Sequence, residues 1–330
     1  MSAMLIPILG LMIGVLGLLW GADRFVEGSA GAARNFGISP LIIGLTVVSI
    51  GTSAPEVLVS VNAALSNAAE LAVGNALGSN MANIGLVLGV TLLIAPTPVQ
   101  KHLLTQEGLV LLVITAIAGF CLYDDYLGRV ESAILAGLIF PLVYIAIKYK
   151  KTHISPEEVA VGEDIPDITM GAAMLWFIIG LAVLLASAEV TVWSAKIIAQ
   201  SMGVSELIVG LTVVAIGTSL PELAASVVSA MRGHHDIAIG NVFGSNLFNL
   251  MLVMPAAGII SPMAISPEVF NRDFISLAIM TLLLIAMVAL ALNKAARNGL
   301  PAVLSRYLGA ILIAGYIGYY VVLWPAIVGT

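Results

Sequence analysis

Apolar residues fall in blocks of about twenty along this chain, separated by short polar joints. Blocks of that length match a helix crossing a bilayer, which needs roughly 20 apolar residues. Strands of a membrane barrel would alternate apolar and polar positions instead, and no such alternation is present. The pattern predicts helices over 4–24, 40–66, 71–95, 105–122 and 129–148. A polar stretch follows, KYKKTHISPEEVAVGEDIPD (148–167). Five more helices are predicted over 170–198, 206–231, 237–260, 273–292 and 303–325, with breaks expected in the third and eighth. The expected fold class is an all-α integral membrane protein of ten transmembrane helices.

Composition agrees. The chain is 60 % hydrophobic and 10 % charged, whereas a soluble domain is about 45–50 % apolar and about 25 % charged. The net charge of −6 comes with no basic tail, so nucleic acid is not an expected partner; the lipid bilayer is. The N-terminal run MSAMLIPILGLMIGVLGLLWG has no basic leader and reads as a first membrane helix. Cys121 is the single cysteine, which excludes an intramolecular disulfide and suits core packing.

The chain repeats itself. LIIGLTVVSIGTSAPEVLVS (41–60) returns as LIVGLTVVAIGTSLPELAAS (207–226), and GNALGSNMAN (74–83) returns as GNVFGSNLFN (240–249). Both pairs share an offset of 166, and 23 of the 43 positions from Leu41 to Asn83 are identical without a gap. Chance does not produce this, so the two halves descend from a duplication. The expected organisation is a first five-helix repeat (1–148), a linker loop (149–168) and a second five-helix repeat (169–330).

Charge orients the helices. With ten spans starting outside, the inner joints carry Arg24, Arg34, Lys101, Lys148, Lys150, Lys151, Arg232, Lys294, Arg297 and Arg306, and the outer ones only Arg129, Lys196 and Arg272. The excess of inner cations places both termini outside and the large loop in the cytoplasm. Five spans per repeat is an odd number, so the second copy enters from the opposite face. Two inverted five-helix repeats are a common architecture of secondary transporters, whose sites sit near the midplane on broken helices.

The repeated motifs carry oxygen chemistry. Pro55 and Pro221 lack an N–H and crowd the carbonyl four residues back, so each should break its helix. Around the first break stand Thr52, Ser53 and Glu56, spaced three or four apart on one face. Thr218, Ser219 and Glu222 repeat them. Asn75, Ser79 and Asn83, and again Asn241, Ser245 and Asn249, line a helix face at intervals of four. Gly74, Gly78, Gly240 and Gly244 would let helices approach closely. The set holds no His or Cys, the ligands soft metals favour. Carboxylates, amides, hydroxyls and carbonyls suit hard cations, Ca2+ above all. An ionised acid in mid-bilayer costs about 2.5–3.5 kcal/mol or more. No Lys or Arg lies between Arg34 and Lys101, so the missing partner of Glu56 is expected to be a transported cation, or a proton in its absence.

Other polar residues have plainer readings. Ser60 and Ser226 are expected to bond to their own helix backbone. His234, His235 and Asp236 read as a solvated loop end and not a metal site. Asp23 and Glu189, equivalent by the same offset, read as interfacial, and Trp20 and Trp324 as part of an interfacial aromatic belt. Lys148, Lys150 and Lys151 are a topology signal, and the acidic run Glu157–Asp167 a solvated loop.

GTSAPE with GNALGSNMAN, and GTSLPE with GNVFGSNLFN, resemble the repeats of the calcium/cation antiporter superfamily, especially its prokaryotic sodium/calcium exchangers and their bacterial inner-membrane relatives. The resemblance implies four cation sites in a diamond between spans 2, 3, 7 and 8. Glu56 and Glu222 would be the central ligands, and Thr52 and Thr218 would give carbonyls beside calcium. Ser53, Ser219, Ser79 and Ser245, with the carbonyls of Ser49 and Ala215, would form flanking sodium sites. Asn83 and Asn249 would line the centre. Spans 1 and 6 would slide across the rest. Some relatives carry Asp at Asn249, including potassium-dependent ones, so Asn argues against potassium. Proton-coupled relatives show GNAxE where this chain has GTSxPE, which favours sodium. The expected function is Ca2+/Na+ antiport by alternating access in an inner membrane, with Ca2+/H+ antiport as the alternative. Three sodium ions on two carboxylates leave a net charge, so an electrogenic cycle is expected. No enzymatic activity and no cofactor are expected, since the ions are substrates, and protein partners are not specified.

Overall fold

The computed structural model describes residues 2–66, 68–142, 167–203, 213 and 215–328. Lys148, Lys150, Lys151 and most of the acidic run, the start of the 206–231 helix and the side chain of Trp324 lie outside the described residues. The fold is all-helical apart from two short ribbons. We number the helices α1 (Ser2–Phe36), α2 (Pro40–Thr52), α3 (Ala54–Leu65), α4 (Glu70–Ile94), α5 (Leu103–Leu122), α6 (Arg129–Gly137), α7 (Met170–Ser201), α8 (Ala215–Thr218), α9 (Leu220–Met231), α10 (His235–Ile260), α11 (Val269–Asn298) and α12 (Arg306–Val328). Among the described residues seven are long and apolar enough to cross a bilayer, or eight if α2 and α3 form one bent span. This is a multi-span helical membrane protein.

The duplication is visible in the elements. α9 begins and ends 166 residues after α3, and α11 begins 166 after α5. Both α5 and α11 open on a π-helical turn, Leu103–Gly108 and Val269–Phe274. The expected breaks in spans three and eight are instead π turns, Asn83–Leu88 and Asn249–Val253, inside otherwise continuous helices. A π turn adds a residue to one loop of the helix and changes which side chains face the neighbour. The abrupt break lies at Ser53, where α2 and α3 meet at 46°.

α1 and α7 pack along their whole length. Cβ atoms at Gly10, Gly14, Gly17 and Gly21 would strike Ser194, Thr191, Ser187 and Leu184 in that order. Rising numbers on one helix meet falling numbers on the other, so the two run antiparallel. The remaining helices are tied end to end by ribbons that draw one strand from each half. Thr97–Pro98 (β1) pairs with Val303–Leu304 (β4), and Tyr126–Leu127 (β2) with Met263–Ala264 (β3), both antiparallel. Arginines reinforce these ties. Arg129 Nε donates to the Ile259 carbonyl at the end of α10 (3.2 Å), and Arg306 Nη2 to the Ile94 carbonyl at the end of α4 (3.3 Å). Cys121 is buried and free, as expected.

Several sequence expectations need correction. The first helix runs twelve residues past its predicted end at 24, so Asp23, Arg24 and Arg34 lie within it. Their charges are tolerated because they are paired. Arg232 binds Asp23 through Nε (2.7 Å) and Nη2 (2.5 Å), Arg24 binds Glu27 (2.5 Å), and Arg34 reaches Asp167 (3.3 Å). Asp23 is therefore an ion-pair partner of the second half, whereas Glu189 is exposed within α7. His234 is buried at the N-terminus of α10, not part of a solvated loop end. Ser60 and Ser226 bond to the neighbouring helix instead of their own backbone. Ser60 Oγ donates to the Ala72 carbonyl (3.4 Å), and Ser226 Oγ accepts from Asn241 (2.9 Å).

Candidate cation site

The break at Ser53 is built by sequence. α2 starts on a cap in which Ser39 Oγ accepts from the Ile42 N–H (3.4 Å), followed by Pro40. It ends at Thr52, and Ser53 leaves helical angles at φ −83°, ψ 7°. Pro55 then opens α3, a position where its missing N–H costs nothing. The second copy does the same: Ser219 has φ −91°, ψ 6°, and Pro221 opens α9. Each glutamate stands in the first turn of the new helix. There the unpaired N–H groups and the helix dipole favour negative charge.

Close packing of α10 brings the copies together. A Cβ at Gly240 would lie 2.6 Å from the Leu41 carbonyl oxygen, and one at Gly44 would lie 2.7 Å from that of Ile237. Gly244 is pressed just as closely on the Leu45 carbonyl. Among the described residues nothing lies within 4 Å of a Cβ at Gly74 or Gly78.

The motif side chains meet across the halves. Ser53 Oγ donates to Glu222 Oε1 at 2.9 Å. Thr52 Oγ1 donates to Asn241 Oδ1 at 3.1 Å, and Asn80 Nδ2 to the Asn246 carbonyl at 3.2 Å. Glu56 and Glu222 lie within electrostatic reach of each other. Ser49, Thr52, Ser53, Glu56, Ser79, Asn83, Ser219, Glu222, Ser245 and Asn249 are all buried. Thr218 is half-buried, and Ala215 is described by its backbone alone.

These buried polar groups are under-satisfied. Among the described residues, both carboxylate oxygens of Glu56, Oε2 of Glu222, the amides of Asn83 and Asn249, and the hydroxyls of Ser219 and Ser245 have no hydrogen-bond partner. Native structures leave only a few buried polar atoms unpaired per hundred residues, and each costs about 1–3 kcal/mol or more when charged. Here they concentrate where the two motif copies meet. Among the described residues the Glu56 carboxyl has no hydrogen-bond partner. The free atoms are oxygens and two amide groups, with two acids the only charges among the predicted ligands. Among the described residues no three of His, Cys, Asp and Glu cluster. Such a donor set matches hard cations.

Sequence reasoning left out Asn80 and Asn246, which bridge the two π-turn helices. Their repetition within GSN was the available signal. It also gave Asn75 and Asn241 no role of their own, although both are strongly engaged.

Comparison with known proteins agrees with the motifs. The family model described as sodium/calcium exchanger protein matches residues 6–149 and 172–324. The chain is 41 % identical over 327 residues to CaxA of Alkalimonas amylolytica, covering 98 % of this chain and 100 % of that one. It is 36 % identical over 319 residues to the inner membrane protein YrbG of Escherichia coli (strain K12), covering 95 % of each. The solved structure of the sodium-calcium exchanger NCX_Mj, soaked with zero Na+ and Ca2+, superposes with a TM-score of 0.81 at 31 % identity, covering 96 % of this chain and 99 % of that one. With a family model spanning nearly the whole length, two motif copies meeting in the interior and a fold shared end to end, the chain belongs to the sodium/calcium exchanger family, a family of transporters and not of enzymes.

Proposed function

We propose that this protein is a secondary antiporter that exchanges Ca2+ for Na+ by alternating access, with Glu56 and Glu222 as the central ligands. One observation carries the reading. Two buried carboxylates from the two motif copies are drawn together, and most of the polar atoms around them lack partners. Oxygen-rich surroundings of that kind are stabilised by a cation. Thr52, Thr218, Ser53, Ser219, Ser79, Ser245, Asn83, Asn249 and the carbonyls of Ser49 and Ala215 complete the proposed ligand set. The names of the exchanger family and of NCX_Mj point the same way.

The proposed architecture is ten spans in two inverted repeats, 1–148 and 169–330, joined by a loop over 149–168. It is supported by the antiparallel run of α1 against α7, its counterpart in the duplication. The ribbons support it too: joints 97–98 and 303–304 must share one face, and 126–127 and 263–264 share one, as ten alternating spans require. The chain is placed in an inner membrane with both termini outside, from the distribution of Lys and Arg. The relative YrbG bears the name inner membrane protein.

Coupling follows from charge. Two carboxylates balance one Ca2+, whereas three Na+ leave one positive charge over, so the exchange is electrogenic. Uptake of radioactive Ca2+ into inside-out vesicles tests the reading. An outward-directed Na+ gradient should drive it, and a proton gradient of the same size should not. Uptake driven by protons alone would make the protein a Ca2+/H+ antiporter. No uptake under either gradient would remove the exchanger reading.

A further inference from the structure

Asn75 and Asn241 are equivalent by the 166 offset and make the same bonds. Asn75 Nδ2 donates to the main-chain carbonyl of Glu56 (3.3 Å) and to Ser60 Oγ (3.3 Å). Asn241 Nδ2 donates to the main-chain carbonyl of Glu222 (3.3 Å) and to Ser226 Oγ (2.9 Å). In each case one amide from the next helix spans a full turn, from the carbonyl of the acidic residue to a hydroxyl four residues on. A carbonyl has two lone pairs, so it can accept this amide as well as its own helical N–H. Asn241 does one thing more: its Oδ1 accepts from Thr52 Oγ1 of the other half (3.1 Å). It thereby touches both the turn that carries Glu222 and the residue that precedes the break at Ser53.

We propose that Asn75 and Asn241 are positioning residues, which fix the depth and rotation of the two carboxylate-bearing turns, and that Asn241 also registers one half against the other. The proposal rests on the exchanger reading. The carboxylates sit just after a helix break, where the backbone has fewer constraints of its own. Without the amide the carbonyl of the acidic residue loses its bond to α4 or α10, and Ser226 loses the donor that holds it. The cation then meets ligands that must be brought into place at the moment of binding.

The test uses the full-length protein in vesicles. Asn241→Ala and Asn75→Ala should each raise the Ca2+ concentration for half-maximal uptake by about tenfold, the scale of one hydrogen bond, with a smaller change in maximal rate. Asn241→Asp has the shape of the amide but can donate only when protonated. Its uptake, taken relative to wild type at the same pH, should recover on acidification. Alanine variants with wild-type half-saturation, or an Asn241→Asp profile parallel to wild type, would overturn the proposal. If Asn241→Ala elutes as aggregate in gel filtration, the half-buried Asn75→Ala decides by itself. If wild-type vesicles show no exchange, it is the exchanger reading that fails. The Ca2+-dependent rise in melting temperature, wild type against variants, then still reads the positioning.

Discussion

The two glutamates occupy equivalent places in a duplicated sequence, yet their surroundings differ. Glu222 accepts a hydrogen bond from Ser53, three residues before Glu56. Glu56 accepts none, and Ser219, the counterpart of Ser53, has no partner. Thr52 reaches Asn241 as well. One first-half hydroxyl, that of Ser53, thus serves the second half's acid, and Ser219 does not return that bond. Duplication supplies matching residues, but packing decides which of them bond. Of the two acids, Glu56 is the one whose carboxylate oxygens both lack a partner among the described residues.

The sharpest way to break this comparison is to neutralise each acid in turn. Glu56→Gln and Glu222→Gln should both abolish exchange in vesicle uptake. They should differ in thermal unfolding in cation-free detergent, where Glu56→Gln should raise the melting temperature more. At a pH where the acids are ionised it removes a charge with no partner, a burden of about 2.5–3.5 kcal/mol in mid-bilayer, whereas Glu222→Gln also gives up the bond from Ser53. An equal shift for both would show that the asymmetry has no energetic weight.

The hydroxyls sharpen the same point with a smaller effect. Ser53→Ala should destabilise the cation-free protein by about 1.5–3 kcal/mol, the range for a hydrogen bond to a charged group. Ser219→Ala should instead stabilise it, by up to about 1–3 kcal/mol, since it loses no bond and removes a buried hydroxyl without a partner. The same melting experiment reads both. The smallest effect belongs to the ion pairs. Arg232→Ala removes the partner of Asp23 and should cost about 0–1 kcal/mol, as partly exposed pairs do. Its counterpart by the 166 offset is Ser66, and Glu189, the counterpart of Asp23, is exposed. Glu189→Gln should therefore leave stability unchanged.

Much of this was legible in the sequence. The apolar blocks declared membrane helices, the 166 offset declared two related halves, and Pro55 with Glu56 marked a break that carries an acid. What stayed hidden needed the third dimension. The run DRFVEGSAGAARNF looks like a joint because it holds charges, but it continues α1. Those charges are neutralised partly by Arg232, 209 residues away from Asp23, and no local pattern reports that. Ser60 and Ser226 have the spacing of ordinary intrahelical hydroxyls, and only the neighbouring helix, through Asn75, Asn241 and the Ala72 carbonyl, gives them another use. The π turns at Asn83 and Asn249 follow no residue signature that a periodicity reading can detect. The proposed ligands could be named from the sequence because chemistry, unlike register, is written in residue types.

The cross-half ribbons bear on origins. Each needs one strand from each half, and so do the arginine bonds that hold the ends of α4 and α10. A polypeptide of a single half would leave both strands without mates and the inward faces of its helices bare. Neither half closes these ribbons by itself, and duplication within one chain keeps the mate of each strand permanently at hand.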